Sequence, residues 1–450
     1  MRRRFPWRTV LTSILGLVAG GLAGCAFGVD GDQLRICRST LPALNPGLAI
    51  TVTGAQPGPE KRSIRVEYTV ERIDRAPVER WVICQFASDS LTARKGELTG
   101  LSTEDGPISG ASLYLMKHYY LDTPEGMAGD PGSAAGAAAP VIPGRAAYAL
   151  QQILSGLPRM SVYGLIATAY ALVFGLVRRV NLAFGELVAI GAAASIAGAA
   201  LGTIGMGLPV AGGLAAGLLA ALFAAAAYGA VGGWLTIGMV KGRSPQPSLI
   251  ATFGLSLFLM EFLRLIQSPV TVWLPPLGSE PWPVARAGHF VVNLKPMSLA
   301  TALFGLGAAS ILVALGRSRF GREWRAYSED PAAARLFGID GRRLLLGTLA
   351  LAGAFAGLAG MLIVVEFGGL GFAGGFQFGL KALLAAVVGG IGSVPGALAG
   401  GWIVGLFESL WAAYLPIESR DIALYLALAI FLVFRPGGIF GTRDTTPRQV

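Results

Sequence analysis

The sequence predicts an all-α polytopic membrane protein of about nine spans that carries a small β-rich domain near its N-terminus. Three observations predict it. Only 14% of the 450 residues are charged, against about 25% in water-soluble domains, and the mean hydropathy is +0.60. The apolar stretches are long enough to cross a hydrocarbon core, which needs about 20 helical residues. Between the first such stretch and the rest, residues 30–145 hold 14 acidic and 12 basic residues and alternate in polarity. A soluble enzyme of this length is thereby excluded. So is a collagenous chain, because the 64 glycines follow no period of three. The net charge of +10 then calls for a topological explanation rather than a nucleic-acid partner.

Residues 1–29 place Arg2, Arg3, Arg4 and Arg8 ahead of an apolar run from Val10 to Val29. This pattern is either a signal sequence or an uncleaved signal anchor. The stretch Leu22, Ala23, Gly24, Cys25 reads either as a lipoprotein processing box, with Cys25 lipidated, or as a small-residue tract in a helix. Either way, the following residues are delivered outside the cytoplasm.

Residues 30–145 are expected to form a compact extracytoplasmic β-rich domain with a linker, a sandwich being the natural form. In RSIRVEYTVERI, Ile64, Val66, Tyr68 and Val70 alternate with polar neighbours, and WVICQF is a second β-rich run. Cys37 and Cys84 would lie in an oxidising compartment, which favours a disulfide over two buried thiols. AGDPGSAAGAAAPVIPG is a small-residue linker.

Residues 146–450 carry 20 basic and 12 acidic residues, with spans expected near 160–177, 186–206, 209–240, 248–267, 298–316, 344–366, 379–392, 396–415 and 421–435. Arg178 and Arg179, Lys241 and Arg243, seven arginines between Arg317 and Arg343, then Arg435 and Arg443 all fall on one side of this path. The positive-inside rule makes that side, and the C-terminus, cytoplasmic. The other side receives the 268–297 loop, with Trp273 and Trp282 as interfacial aromatics, and the turn LPIESRD.

Charged residues within or beside the apolar runs are Glu186, Glu261, Arg264, Glu366, Lys381 and Glu408. A charge at a bilayer centre costs about 2.5–3.5 kcal/mol on insertion scales and marks a wet pathway unless it pairs to hold helices together. Glu261 and Arg264, spaced i, i+3, fit simple pairing. In the basic loop, EDPAAARLFGID reads as a short helix opened by Ser328, Glu329 and Asp330, with Pro331 in its first turn and an end near Gly338. It is either a docking element or an amphipathic connector on lipid headgroups.

Five segments together resemble the permease subunits of branched-chain amino acid (LIV-type) ABC importers: VNLAFGELVAIGA from Val180, ATFGLSLFL from Ala251, GREWRAYSEDPAAARLFGID from Gly321, GLKALLAAVVGGIGSVPGALAGG from Gly379 and FRPGGIFG from Phe434. The likeness runs in order over about 290 residues of the 146–450 region, the third zone of the chain. It implies a membrane subunit that pairs with a second, related permease, two cytoplasmic ATPases and an extracytoplasmic solute-binding protein in a bacterial inner membrane. The chain has no GxxxxGK[ST] phosphate loop, so ATP and its magnesium belong to the partner ATPase. By the same resemblance, Glu329, Asp330, Ala333 and Gly338 engage the ATPase, and Asn181, Phe184, Gly185 and Glu186 match the family's N-F-A-x-G-E pattern. Here the pattern reads NLAFGE, with leucine in place of phenylalanine and Phe184 where histidine is common.

The mechanism so implied is alternating access along a pathway near Glu186, Lys381 and Glu408, with Lys381 offsetting a buried carboxylate, Glu366 or Glu186. Branched-chain or related amino acids are the expected substrates, and urea or short amides the alternative. A stand-alone secondary transporter or channel would leave the EDPAAARLFG loop without a purpose. A membrane enzyme has little to stand on: the two histidines, His118 and His289, read as surface residues, and no Cys/His spacing suits a metal. The N-terminal domain is the part that ordinary members lack.

Overall fold

The computed structural model describes residues 29–440 apart from positions 47, 73–74, 88–95, 122–129, 132–139, 240–245, 268–273, 275–280, 288–289, 391 and 436. The N-terminal arginines, Cys25, Lys241, Arg243, Trp273, His289 and Arg443 lie outside the described residues.

Helix α1 (Gly31–Ser39) starts where the Asp30 side chain accepts the backbone N–H groups of Asp32 and Gln33, and α2 (Leu41–Leu44) follows directly. Five strands then form one antiparallel meander in chain order: β1 (Ala49–Pro57), β2 (Ser63–Arg72), β3 (Arg75–Phe86), β4 (Leu98–Thr103) and β5 (Gly106–Pro107). The period-two pattern sends Ile64, Val66, Tyr68 and Val70 to one face, joined by Val82, Cys84 and Phe86, all buried. Leu34, Cys37 and Leu41 of the two helices cover that face. A disulfide joins Cys37 to Cys84 and ties α1 to β3, with the Cα atoms 5.8 Å apart. The opposite face carries polar and amphipathic groups, among them Arg65 stacked 5.0 Å over Trp81. Among the described residues the sheet has one apolar face and one core, so the domain is a helix-covered sheet and not a sandwich. A last helix, α3 (Gly110–Met116), continues as a π-helical turn through Leu121, and His118 lies there between Tyr114 and Tyr119.

The third zone folds into α4 (Gly144–Val177), α5 (Phe184–Ala200), α6 (Val210–Gly233), α7 (Gln246–Gln267), hairpin strands β6 (Trp282–Ala287) and β7 (Phe290–Leu294), α8 (Pro296–Leu315), α9 (Arg319–Glu329), α10 (Pro331–Leu336), α11 (Gly341–Phe367), α12 (Gly374–Gly389), α13 (Val394–Tyr414) and α14 (Arg420–Phe434). The nine apolar stretches thus become nine helices. Seven of them, rather than nine, are long and apolar enough to cross a membrane among the described residues. The other two, α12 and α14, have 16 and 15 residues. Helix α12 stops short because Gly390 and Gly392 take positive φ, 113° and 90°. Its last carbonyls, at Val388 and Gly389, then accept the N–H groups of Ile439 and Phe440, so the C-terminal FRPGGIFG segment caps it.

Helix α4 is the axis of the bundle, buried along nearly all of its apolar part. It begins 16 residues before the expected start near 160, because its first turns pack on protein rather than lipid: Gln151 exchanges two hydrogen bonds with the Asn293 backbone of the hairpin, a segment expected from the sequence to be loop. Small residues set the helix spacings. Gly401 and Gly405 of α13 face Gly164 and Met160 of α4, and Gly353 and Gly357 of α11 face Ala225 and Ala221 of α6. Helix α7, by contrast, leaves Phe253, Leu257, Phe258, Leu265 and Ile266 exposed, as a lipid-facing helix does.

The two ends of the bundle differ. At one end lie the hairpin, the start of α4 and the end of α13, joined by the Tyr148 hydroxyl donating to Ala413 O at 2.7 Å. At the other lie the end of α4 and the arginine-rich pair α9–α10, because the Trp324 indole N–H donates to Leu172 O at 3.0 Å.

Candidate functional site

Near the hairpin end, four helices converge on a buried charge cluster. Lys381 comes from α12, Glu408 from α13, Tyr163 from α4, and Arg420 and Asp421 from the first turn of α14. One Glu408 carboxylate oxygen pairs with the Lys381 ammonium, and the other accepts the Tyr163 hydroxyl at 2.7 Å. Lys381 also donates to Asp421 at 2.9 Å, while Arg420 Nε lies 3.7 Å from Glu408 and 3.3 Å from Asp421. The side chains of Lys381 and Glu408 are only 7% and 1% exposed. Two charges held that dry are stable only as a hydrogen-bonded pair.

The cluster forms one wall of a cavity of about 220 Å³. Arg159, one turn before Tyr163 on the same face of α4, and Gln377, one turn before Lys381 on α12, extend the polar wall. Val162, Phe367 and Phe378 supply the apolar side. Lys381 and Glu408 are thus brought together, and the partner of Lys381 is Glu408 with Asp421, neither Glu366 nor Glu186. Glu366 instead accepts from Ser298 at 2.6 Å, and Glu186 from Ser256 at 3.0 Å. Glu261 and Arg264 pair at 3.3 Å, both about half exposed on α7.

The NLAFGE turn sits elsewhere, where α5 meets α12. The Asn181 side chain accepts the Ala183 N–H at 3.1 Å and shapes the start of α5. Phe184 is buried edge-on against Tyr170, ring centroids 5.4 Å apart. A Cβ added at Gly185 would fall on the Gly375 carbonyl oxygen and 2.7 Å from Gly379 Cα. Glu186 is fully buried; one of its oxygens lies against Gly375 and has no hydrogen-bond partner among the described residues. Gly185→Leu therefore has to push α5 and α12 apart, an overpacking that costs about 1–3 kcal/mol. The detergent-solubilised variant is expected to lose its sharp size-exclusion peak at a lower temperature than the native chain. Gly254→Leu, where no atom lies within 4 Å of the added Cβ, is expected to leave that temperature unchanged.

Tyr163, Arg159, Arg420, Asp421 and Ser256 went unnoticed in the sequence. Arg159 was the findable one, a lone arginine four residues before a tyrosine at the head of an apolar run. Arg420 and Asp421 read as part of an outer turn, and only the packing of α14 carries them inward.

At the opposite end, Asp330 accepts the N–H groups of Ala332 and Ala333 at 2.8 and 3.0 Å, so it alone opens α10; Ser328 and Glu329 complete α9 instead. Ala334 is buried and Ala333 partly so, whereas Glu329 and Gly338 are exposed. Gly338 closes the helix at φ 81°, a conformation suited to glycine. Just before it, Leu336 and Phe337 are 89% and 86% exposed. Two large bare apolar side chains on a short capped helix, fastened through α9 to α4 by Trp324, form a rigid knob suited to a protein partner.

The comparisons with known proteins agree with this architecture. A family described as the branched-chain amino acid transport system permease component matches residues 152–434. The high-affinity branched-chain amino acid transport system permease protein LivH of Escherichia coli K12 is 34% identical over 298 residues, which cover 65% of this chain and 96% of that one. The corresponding protein BraD of Pseudomonas aeruginosa is 31% identical over 296 residues, 65% of this chain and 95% of its own. The fructose import permease protein FrcC of Rhizobium meliloti is more distant, 26% identical over 187 residues, 40% of this chain and 52% of its own. No solved structure matches the chain. This helical bundle, matched through the whole of α5 to α14, belongs to the family of branched-chain amino acid transport permeases.

Proposed function

We propose that this chain is the membrane-spanning subunit of an ATP-driven importer for branched-chain or related amino acids, working with a second permease, two cytoplasmic ATPases and an extracytoplasmic solute-binding protein. The observation that carries the reading is the α10 knob, whose bare Leu336 and Phe337 stand at the end of the bundle that gathers the arginines. In an importer, that end faces the cytoplasm, the hairpin end faces outward, and the domain of residues 30–145 stands on the outer side. ATP and magnesium are used in the partner.

The mechanism follows from the rigidity of the parts. ATPase closure displaces α10, and α9 passes the displacement to α4 through the Trp324 hydrogen bond. Helix α4 carries Tyr163 and Arg159 midway along its length, so the same movement reshapes the wall of the charged cavity. The pathway in this reading passes Lys381 and Glu408. Asn181 and Phe184 seat the start of α5 on Tyr170 of α4, and Gly185 and Glu186 seat it on α12, which carries Lys381.

A mild-detergent pull-down of the tagged chain from its native membrane, with mass identification, tests the reading. An ATPase and a second permease are expected to co-purify, and Gly338→Asp, which strains the φ 81° turn and adds a charge beside the knob, is expected to weaken their recovery. A native chain that comes down alone from membranes where it is functional would overturn it.

A further inference from the structure

The charge cluster is not balanced within the protein. Three cations, Arg159, Lys381 and Arg420, face two carboxylates, Glu408 and Asp421. Glu408 and Asp421 are taken up by Lys381 and Arg420. Glu366, the nearest acid in sequence to the lining residue Phe367, is engaged by Ser298 and does not line the cavity. Arg159 is the cation left over: among the described residues, its guanidinium meets only the Ser409 hydroxyl, at 3.4 Å. A partly buried guanidinium facing a cavity whose one carboxylate, Glu408, is already paired with Lys381 calls for a further anion, and its planar fork matches a carboxylate in particular.

The cavity has the dimensions and the second wall that such a ligand needs. Its volume of about 220 Å³ far exceeds the roughly 30 Å³ share of one water and falls below the roughly 300 Å³ at which drug-sized pockets begin. Opposite the charges stand Val162, Phe367 and Phe378, an apolar surface for an aliphatic side chain. The cavity lies toward the hairpin end, because beside the middle of α4 its lining comes from the end of α11 and the first turn of α14.

We propose that this cavity receives the amino acid on its way through the membrane and that Arg159, beside Arg420, anchors the α-carboxylate while the aliphatic side chain rests on Phe367 and Phe378. The inference rests on the importer reading and adds to it the substrate group that the permease itself recognises. An amide lacking the negative charge leaves Arg159 unneutralised and is rejected at this point, whatever the solute-binding protein delivers.

The test uses the complete membrane complex, purified by the tagged chain and placed in lipid nanodiscs without the solute-binding protein. Tritiated leucine is expected to bind directly, to be displaced by 4-methylpentanoate, which keeps the carboxylate and the side chain, and to resist leucinamide, which keeps all but the charge. Arg159→Gln is expected to weaken leucine binding roughly ten- to a hundred-fold, the usual loss for a hydrogen bond to a charged group. Arg159→Lys, a point charge without the fork, falls between the two, and it carries the variant arm if Arg159→Gln does not assemble. Absence of leucine binding to an assembled native complex, displacement by leucinamide as effective as by 4-methylpentanoate, or unchanged affinity in the assembled Arg159 variant would each overturn the carboxylate anchor. Those results leave the importer reading intact, since that reading stands or falls on whether an ATPase co-purifies with the native chain.

Discussion

Lys381→Met is expected to destabilise the protein by about 3–5 kcal/mol, the range for removing one partner from a buried ion pair. The substitution leaves Glu408, whose side chain is 1% exposed, with the Tyr163 hydroxyl and a guanidinium 3.7 Å away in place of its ammonium. A side chain of similar length fills the space of Lys381, so the loss reports charge rather than a cavity. In detergent, the temperature at which the monodisperse peak disappears should fall well below that of the native chain, and uptake should fall to background. The double variant Lys381→Met with Glu408→Gln removes both charges and keeps an acceptor for Tyr163. It should regain most of the lost stability without regaining uptake. If Lys381→Met is as stable as the native chain, the pair does not hold α12 to α13. If the double variant transports, the charges serve packing alone.

The second large effect belongs to the opposite end. Replacing Leu336 and Phe337 together by aspartate should leave the fold unchanged, because both side chains stand almost wholly free of the bundle, at 89% and 86% exposure. It should nevertheless abolish association with the ATPase. Central apolar anchors of an interface are worth at least about 2 kcal/mol each, roughly thirty-fold in affinity. Recovery of the ATPase in a pull-down and leucine uptake in membrane vesicles should both drop to background, with the peak temperature unmoved. Ala334→Asp, at a position 3% exposed, gives the contrasting result, in which stability fails along with docking. Full ATPase recovery with the double aspartate would place the docking surface elsewhere.

These two expectations differ in how much of them the sequence alone could carry. Helix α10 was legible because its signals are local, whereas the bare Leu336 and Phe337 that make it a knob were not. Asp330 with Pro331 opens the helix, Gly338 closes it, and the arginines around it mark one side of a membrane. The positions of the nine helices were legible for a similar reason, since an apolar run in lipid has few alternatives to a helix. The alternation in β2 likewise announced a sheet, although not that a helix rather than a second sheet would cover it.

The charge cluster was not legible, because its members come from residues 159, 163, 381, 408, 420 and 421. Each of them read alone is one polar residue near an apolar run. Which of Glu186, Glu366 and Glu408 meets Lys381 depends on the rotation of α12 about its axis, and that rotation is set by glycine contacts such as Gly185 on Gly375 and Gly379. The sequence by itself determined the class of protein, the helices, the basic face and the short α10 helix, because burial in lipid and helix capping are decided within one or two turns. Only the tertiary structure decided that Lys381 belongs to Glu408, and that Arg159 faces a cavity whose one carboxylate is already paired with Lys381. Those are matters of how helices pack, and small residues far apart in the chain decide how closely the helices approach and which side chains meet.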